Sequence, residues 1–180
     1  FAVKAIELIA ENLPVACREG ANVDARTSLA LGSLLAGAAF SNAMVGIVHA
    51  LGHSLGGLCH IPHGQAMMML LPHCVRYNLD RGIHAGLYGE LLGHLAPARA
   101  AALGPDASTA ERDKAFCEHL FELNDLYHDQ YGVPLALSEL GVTREDLPAV
   151  AKQARYDGAA LYNETEITLE DALEILEATY

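Results

Sequence analysis

Four histidines, His49, His53, His60 and His63, fall between Gly46 and Gly64, a stretch reading GIVHALGHSLGGLCHIPHG that contains no Lys, Arg, Asp or Glu. His49 and His53 are four residues apart, a spacing that sets two side chains one above the other on the same helix face. A Gly56-Gly57 break and a short irregular run follow, and His63 stands between Pro62 and Gly64. Neutral imidazoles gathered without competing charges suit a soft or borderline divalent metal. Any one of these histidines alone would be read as a packed or solvated side chain, so the concentration is what points to a site. A second pattern competes for the same residues. Gly52-His53-Ser54-Leu55-Gly56 fits G-x-S-x-G, the nucleophile turn of α/β-hydrolases, and would make Ser54 a nucleophile. That turn requires a parallel sheet around it, and then an Asp and a His on loops further along the chain.

The elements that must position these residues read as helical almost throughout. Residues 2–18 carry apolar side chains at helical spacing and stop before Gly20. Asn22 can cap the next helix, with Asp24 in its first turn, and that helix is predicted to run to about Phe40. A second apolar helix is predicted from Ala43 to Leu55, and a third from Gln65 to Tyr77, bent or bounded at Pro72. Ala98 to Asp106 reads as a loop or weak helix. Ser108 with Glu111 forms a capping box for a helix to about Gln130, and Thr143/Asp146 and Thr168/Asp171 repeat that start signal. With no alternating β-branched run, the expected fold class is all-α, a multi-helix bundle forming one domain over residues 1–180.

Composition narrows the function. Eleven basic against 23 acidic residues give a net charge of -12, which argues against a nucleic-acid partner. Leu29 to Leu51 is uncharged and could span a bilayer on length alone. Ser33, Ser41 and Asn42 interrupt it and no aromatic or basic belt flanks it, so a buried helix pair is expected and no membrane partner. The four cysteines, Cys17, Cys59, Cys74 and Cys117, form no C-x-x-C pair, and free thiols in a cytoplasmic protein are expected. Cys59 lies inside the histidine stretch and is the only one of interest there.

A longer pattern, G-x-x-H-x-x-G-H-x-x-G-x-x-x-x-x-P-H-G, is met at every fixed position by Gly46, His49, Gly52, His53, Gly56, Pro62, His63 and Gly64. Leu71-Pro72-His73 and Tyr77-Asn78 follow at the expected distance. Here the sequence resembles the iron-dependent (group III) alcohol dehydrogenases, specifically their helical C-terminal domain, from its first helix to the TLEDALEILEATY tail. The resemblance implies that His49 and His63 are two of four metal ligands, with Fe(II) the ion and Zn(II) an alternative that imidazole also accepts. It implies that His53 is not a ligand but lies beside the nicotinamide of NAD or NADP and the substrate, as a catalytic and cofactor-side residue that helps move the alcohol proton. His73 would be structural, and His60 a solvated loop side chain. The implied reaction interconverts an alcohol with its aldehyde or ketone, a divalent ion acting as Lewis acid while hydride passes to the cofactor. A homo-oligomer is also implied.

The chain departs from the family pattern in places. The upstream Asp and His that would complete the metal site are missing: residues 1–48 contain no histidine, and Asp24 is their only aspartate. No Gly-rich phosphate-binding turn occurs. The expectation is therefore of a portion of a longer enzyme, catalytically silent by itself, whose own N-terminal cofactor-binding domain is a required partner. Gln65-Ala66-Met67-Met68, and Asn163-Glu164-Thr165 in place of Asn-Pro-Arg, bear on which substrate is used. Two other readings stay open at this stage, a non-catalytic helical module that binds a metal or a partner and the serine hydrolase using Ser54.

Overall fold

The computed structural model describes residues 1–180. It contains nine α-helices, two short 3-10 segments and no strand, so the all-α expectation is met. Two compact units emerge, one of residues 1–44 and 85–116, the other of residues 45–84 and 117–180.

In the first unit α1 (Ala2–Arg18) pairs with α2 (Val23–Ala43). Asn22 caps α2 as its side chain predicts, its Oδ1 accepting from the Ala25 amide at 3.0 Å. A side chain at Gly32 would meet Ile9 Cγ1 at 2.9 Å, so glycine lets the two helices approach closely there. The remaining helices are α5 (Leu87–Leu95), α6 (Pro97–Ala102) and the first turns of α7 (Thr109–Tyr131). The sequence gives no sign of α5, because its cap is remote. The amides of Gly86 and Gly89 both donate to the buried carboxylate of Asp113, each at 2.6 Å. The Ser108/Glu111 box is present in both directions at the start of α7.

The second unit packs α3 (Ile47–Cys59), α4 (His63–Asp80), α8 (Leu147–Ala154) and α9 (Leu169–Thr179) around one core containing Leu51, Leu55, Leu70, Leu147 and Leu176. Three expected boundaries move. The uncharged stretch is the expected pair of helices with the break shifted: α2 runs on past Phe40 to Ala43, Met44 takes a left-handed φ of 64°, and α3 starts at Ile47 rather than Ala43. No single helix is long and apolar enough to cross a membrane. The Gly56-Gly57 pair lies inside α3, which continues to Cys59 because packing overrides the roughly 1 kcal/mol that each helical glycine costs. Pro72 does not bound α4 either. A proline leaves the carbonyl four residues earlier without its helical donor. Here that carbonyl, on Met68, accepts instead from Asn124 Nδ2 at 2.9 Å, and the helix runs on.

Near the C-terminus Thr168 and Asp171 form the predicted capping box for α9. Arg81 ties the end of α4 to α9 through Asp171 Oδ1 at 3.1 Å and Glu174 Oε2 at 2.9 Å. Thr143 and Asp146 also bond to each other, but they shape the turn before α8, whose first residue is Leu147.

Candidate functional site

Local structure brings three of the four histidines together. Residues 60–62 reverse the chain between α3 and α4: His60 adopts the left-handed conformation at φ 58°, Ile61 is buried, and Pro62 precedes the first turn of α4. That turn places His63 at the first position of α4, back against α3. The ring centroids of His49 and His53 are 5.6 Å apart, those of His49 and His63 5.5 Å, and those of His53 and His63 5.8 Å. Helix contact makes this closeness possible. A Cβ on Gly52 would fall 1.8 Å from Met67 Cε, so only glycine admits α4 against this side of α3 without moving that methionine.

The start of α3 is tied down from far along the chain. The Asn163 side-chain oxygen accepts from the Ile47 amide at 3.4 Å and would lie 3.0 Å from a Cβ on Gly46. A second long-range contact reaches the cluster itself: Nδ1 of His53 lies 3.1 Å from Oδ2 and 3.3 Å from Oδ1 of Asp157. Asp157 was not anticipated. Asp-Gly at 157–158 is legible as a turn signal, but nothing in spacing along the chain relates it to His53.

The electrostatics favour an uncharged His49. Partial burial lowers its pKa, the neighbouring His53 and His63 lower it further, and Asp157 opposes them. A neutral imidazole presents a nitrogen lone pair, the form that ligates metal. His49 and His63, on adjacent helices, fit part of the ligand set of a divalent ion, two short of four. No group of three or more His, Cys, Asp or Glu side chains is arranged to hold an ion. Cys59 does not add a thiolate, since burial and then the Asp146 charge raise its pKa.

The other residues singled out from the sequence lie elsewhere. His60 is exposed at the end of α3. The His73 ring packs edge-on to Phe121 at 5.0 Å, and burial, then Arg76, lowers its pKa, consistent with a packing role. Ser54 is 1% exposed within α3 and donates its hydroxyl to the Ala50 carbonyl at 2.9 Å. With Ser54 mid-helix and no sheet around it, the G-x-S-x-G match is a coincidence of helical sequence.

The profile described as "Fe-containing alcohol dehydrogenase family, C-terminal" matches residues 1–180. 1,3-Propanediol dehydrogenase of Klebsiella pneumoniae is 41% identical over 167 residues, covering 90% of this chain and 39% of that protein. Alcohol dehydrogenase 4 of Saccharomyces cerevisiae is 34% identical over 179 residues, covering 99% of this chain and 43% of that protein. A crystal structure of 1,3-propanediol oxidoreductase superposes with a TM-score of 0.87 at 34% identity, covering 99% of this chain and 44% of that one. The chain thus spans about two fifths of the length of the relatives it matches.

Proposed function

The chain belongs to the Fe-containing alcohol dehydrogenase family, and from that premise we propose that residues 1–180 are the helical metal-binding domain of an enzyme that interconverts an alcohol with its aldehyde or ketone using NAD or NADP. The observation that carries the reading is the convergence of His49, His53 and His63 on one side of α3 and α4. Relatives named for propanediol, methanol and lactaldehyde support a small alcohol or aldehyde as substrate.

In this reading His49 and His63 hold a divalent ion, Fe(II) or Zn(II), each through a neutral ring nitrogen. Bound there, such an ion supplies Lewis acidity that makes an alcohol hydroxyl easier to deprotonate. His49 suits the role because its burial and its imidazole neighbours favour the unprotonated ring. His53 serves a different purpose. Its ring is exposed, it stands beside both proposed ligands, and an imidazole can take up and release a proton near neutral pH. It is therefore assigned the alcohol proton, on the side where substrate and nicotinamide meet.

The remaining ligands and the nicotinamide contacts are assigned to chain outside these residues, because no Gly-rich phosphate turn occurs within them. An N-terminal cofactor-binding domain, assembly as a homo-oligomer and a cytoplasmic location complete the proposal. Paramagnetic Fe(II), added anaerobically, should broaden the imidazole resonances of His49, His53 and His63 and leave His94 sharp. Equal broadening of all nine histidines would remove the assignment. The 180-residue chain with Fe(II), alcohol and NAD or NADP should produce no reduced cofactor; measurable production would overturn the division of labour.

A further inference from the structure

Asp157 is itself held in place by the segment it begins. It caps the 3-10 segment Gly158–Tyr162, and its Oδ1 accepts from the Ala159 amide at 2.8 Å. Ala159 is buried in the core of the second unit, so the segment is anchored. The capping bond fixes the carboxylate and leaves Oδ2 facing His53 Nδ1 at 3.1 Å. Six residues on, Asn163 accepts from the Ile47 amide. The loop from Asp157 to Asn163 thereby holds α3 at two points, its N-terminus and the ring of His53.

We propose that Asp157 is the positioning residue of His53: its carboxylate fixes the ring through an Nδ1–H bond and leaves Nε2 as the nitrogen with a free lone pair. An ionised carboxylate can only accept, so the proton of a neutral His53 belongs on Nδ1. Which ring nitrogen is free is set by the hydrogen bond that the other one makes. The inference rests on the proposed function only for the proton's origin. When the alcohol O–H bond breaks, its electron pair stays on oxygen and the proton joins the Nε2 lone pair. The Nδ1 proton stays where it is, Asp157 remains a carboxylate, and its charge lies beside the imidazolium that forms. A base oriented by a third group is the general arrangement of activated proton transfer.

The competing explanation is that Asp157 only caps its own segment. Asp157→Asn separates the two: it keeps an oxygen for the Ala159 amide, loses the charge, and offers His53 an amide that can donate to Nδ1. The readout is the two-bond proton–nitrogen spectrum of the imidazoles in the 15N-labelled 180-residue chain, without metal, cofactor or alcohol, at a pH where the rings are neutral. In the wild type His53 should be the Nδ1–H tautomer. In Asp157→Asn the tautomer ratio should move toward Nε2–H by about 10- to 100-fold, the size expected for a hydrogen bond to a charged acceptor. Asp157→Ala should move it in the same direction. Unchanged His94 and His128 signals report an intact fold, since both rings are bonded elsewhere, to Glu7 and to the Val133 carbonyl.

A wild-type His53 in the Nε2–H form would overturn the proposal without recourse to any variant. So would a ratio unmoved by Asp157→Asn. Metal binding by His49 and His63 is a separate measurement. Its failure with the Nδ1–H tautomer intact would remove the proposed function alone, and the reverse result would remove the positioning role alone.

Discussion

The second unit buries large side chains, Leu51, Leu55, Leu70, Leu147 and Leu176, each at 0% exposure, whereas the buried residues of α1 and α2 in the first unit are small ones, Ala5, Ala25 and Gly32. The same α2 leaves Leu31, Leu34 and Phe40 about half or more exposed. Both regions are helical and apolar, so composition does not separate them. What separates them is how much apolar surface each removes from water, at about 25 cal/mol per Å². The three imidazoles stand on the deeply packed side. Helices fixed by a dense core are the scaffold that holds ring positions to fractions of an ångström, which a site requires.

The sharpest break of this contrast is Leu51→Ala, beneath the histidines. It should destabilise the second unit by about 2–5 kcal/mol, read from chemical denaturation. A cost below about 1 kcal/mol would mean that the core under α3 is not close-packed. Next comes Asn124→Leu, which orphans the Met68 carbonyl and should cost about 1–3 kcal/mol. The accompanying test is Pro72→Ala, which restores a helical donor to that carbonyl. In that background the cost of Asn124→Leu should shrink markedly, and equal costs in both backgrounds would show that the two residues are not coupled.

A smaller effect concerns acid. Burial raises the pKa of Asp171, but the Thr168 hydroxyl and amide, Tyr77 and Arg81 together bring it below its ordinary 3.8. A carboxyl lowered on folding contributes stability that is fully present above 3.8 and lost as the pH falls through the folded value. Asp171→Asn should therefore cost about 1 kcal/mol near neutrality, the worth of a helix cap, and flatten the acid limb of the stability profile. An unchanged acid limb would assign the acid sensitivity to other carboxyls. The smallest effect is expected at Leu34→Ser on exposed α2, within about 0.5 kcal/mol. A loss comparable to that of Leu51→Ala would erase the distinction between the two regions.

How legible these features were in the sequence follows the range of the interactions that make them. The caps at Asn22, Ser108 and Thr168 lie within three residues of their partners and were readable as such. The pairing of His49 with His53 is likewise a local, helical fact, while the place of His63 was implied by a family pattern. Helix α5 was missed because Asp113, its cap, is 24–27 residues away. Whether α4 bends or stops at Pro72 stays open in the sequence, because the donor that answers the orphaned carbonyl, Asn124, lies 56 residues on. Asp157 lies 104 residues from His53, and only the fold relates them. Glycine and proline set local expectations that tertiary partners then overrode.

The central claim, that His49 and His63 supply part of a metal site, is tested most directly by anaerobic calorimetric titration of the chain with Fe(II) and Zn(II), beside a His49→Ala/His63→Ala double variant. The account predicts weak binding by the wild type that disappears in the double variant, as two imidazoles short of a full ligand set require. Tight one-to-one binding, or binding that survives the loss of both rings, would contradict it.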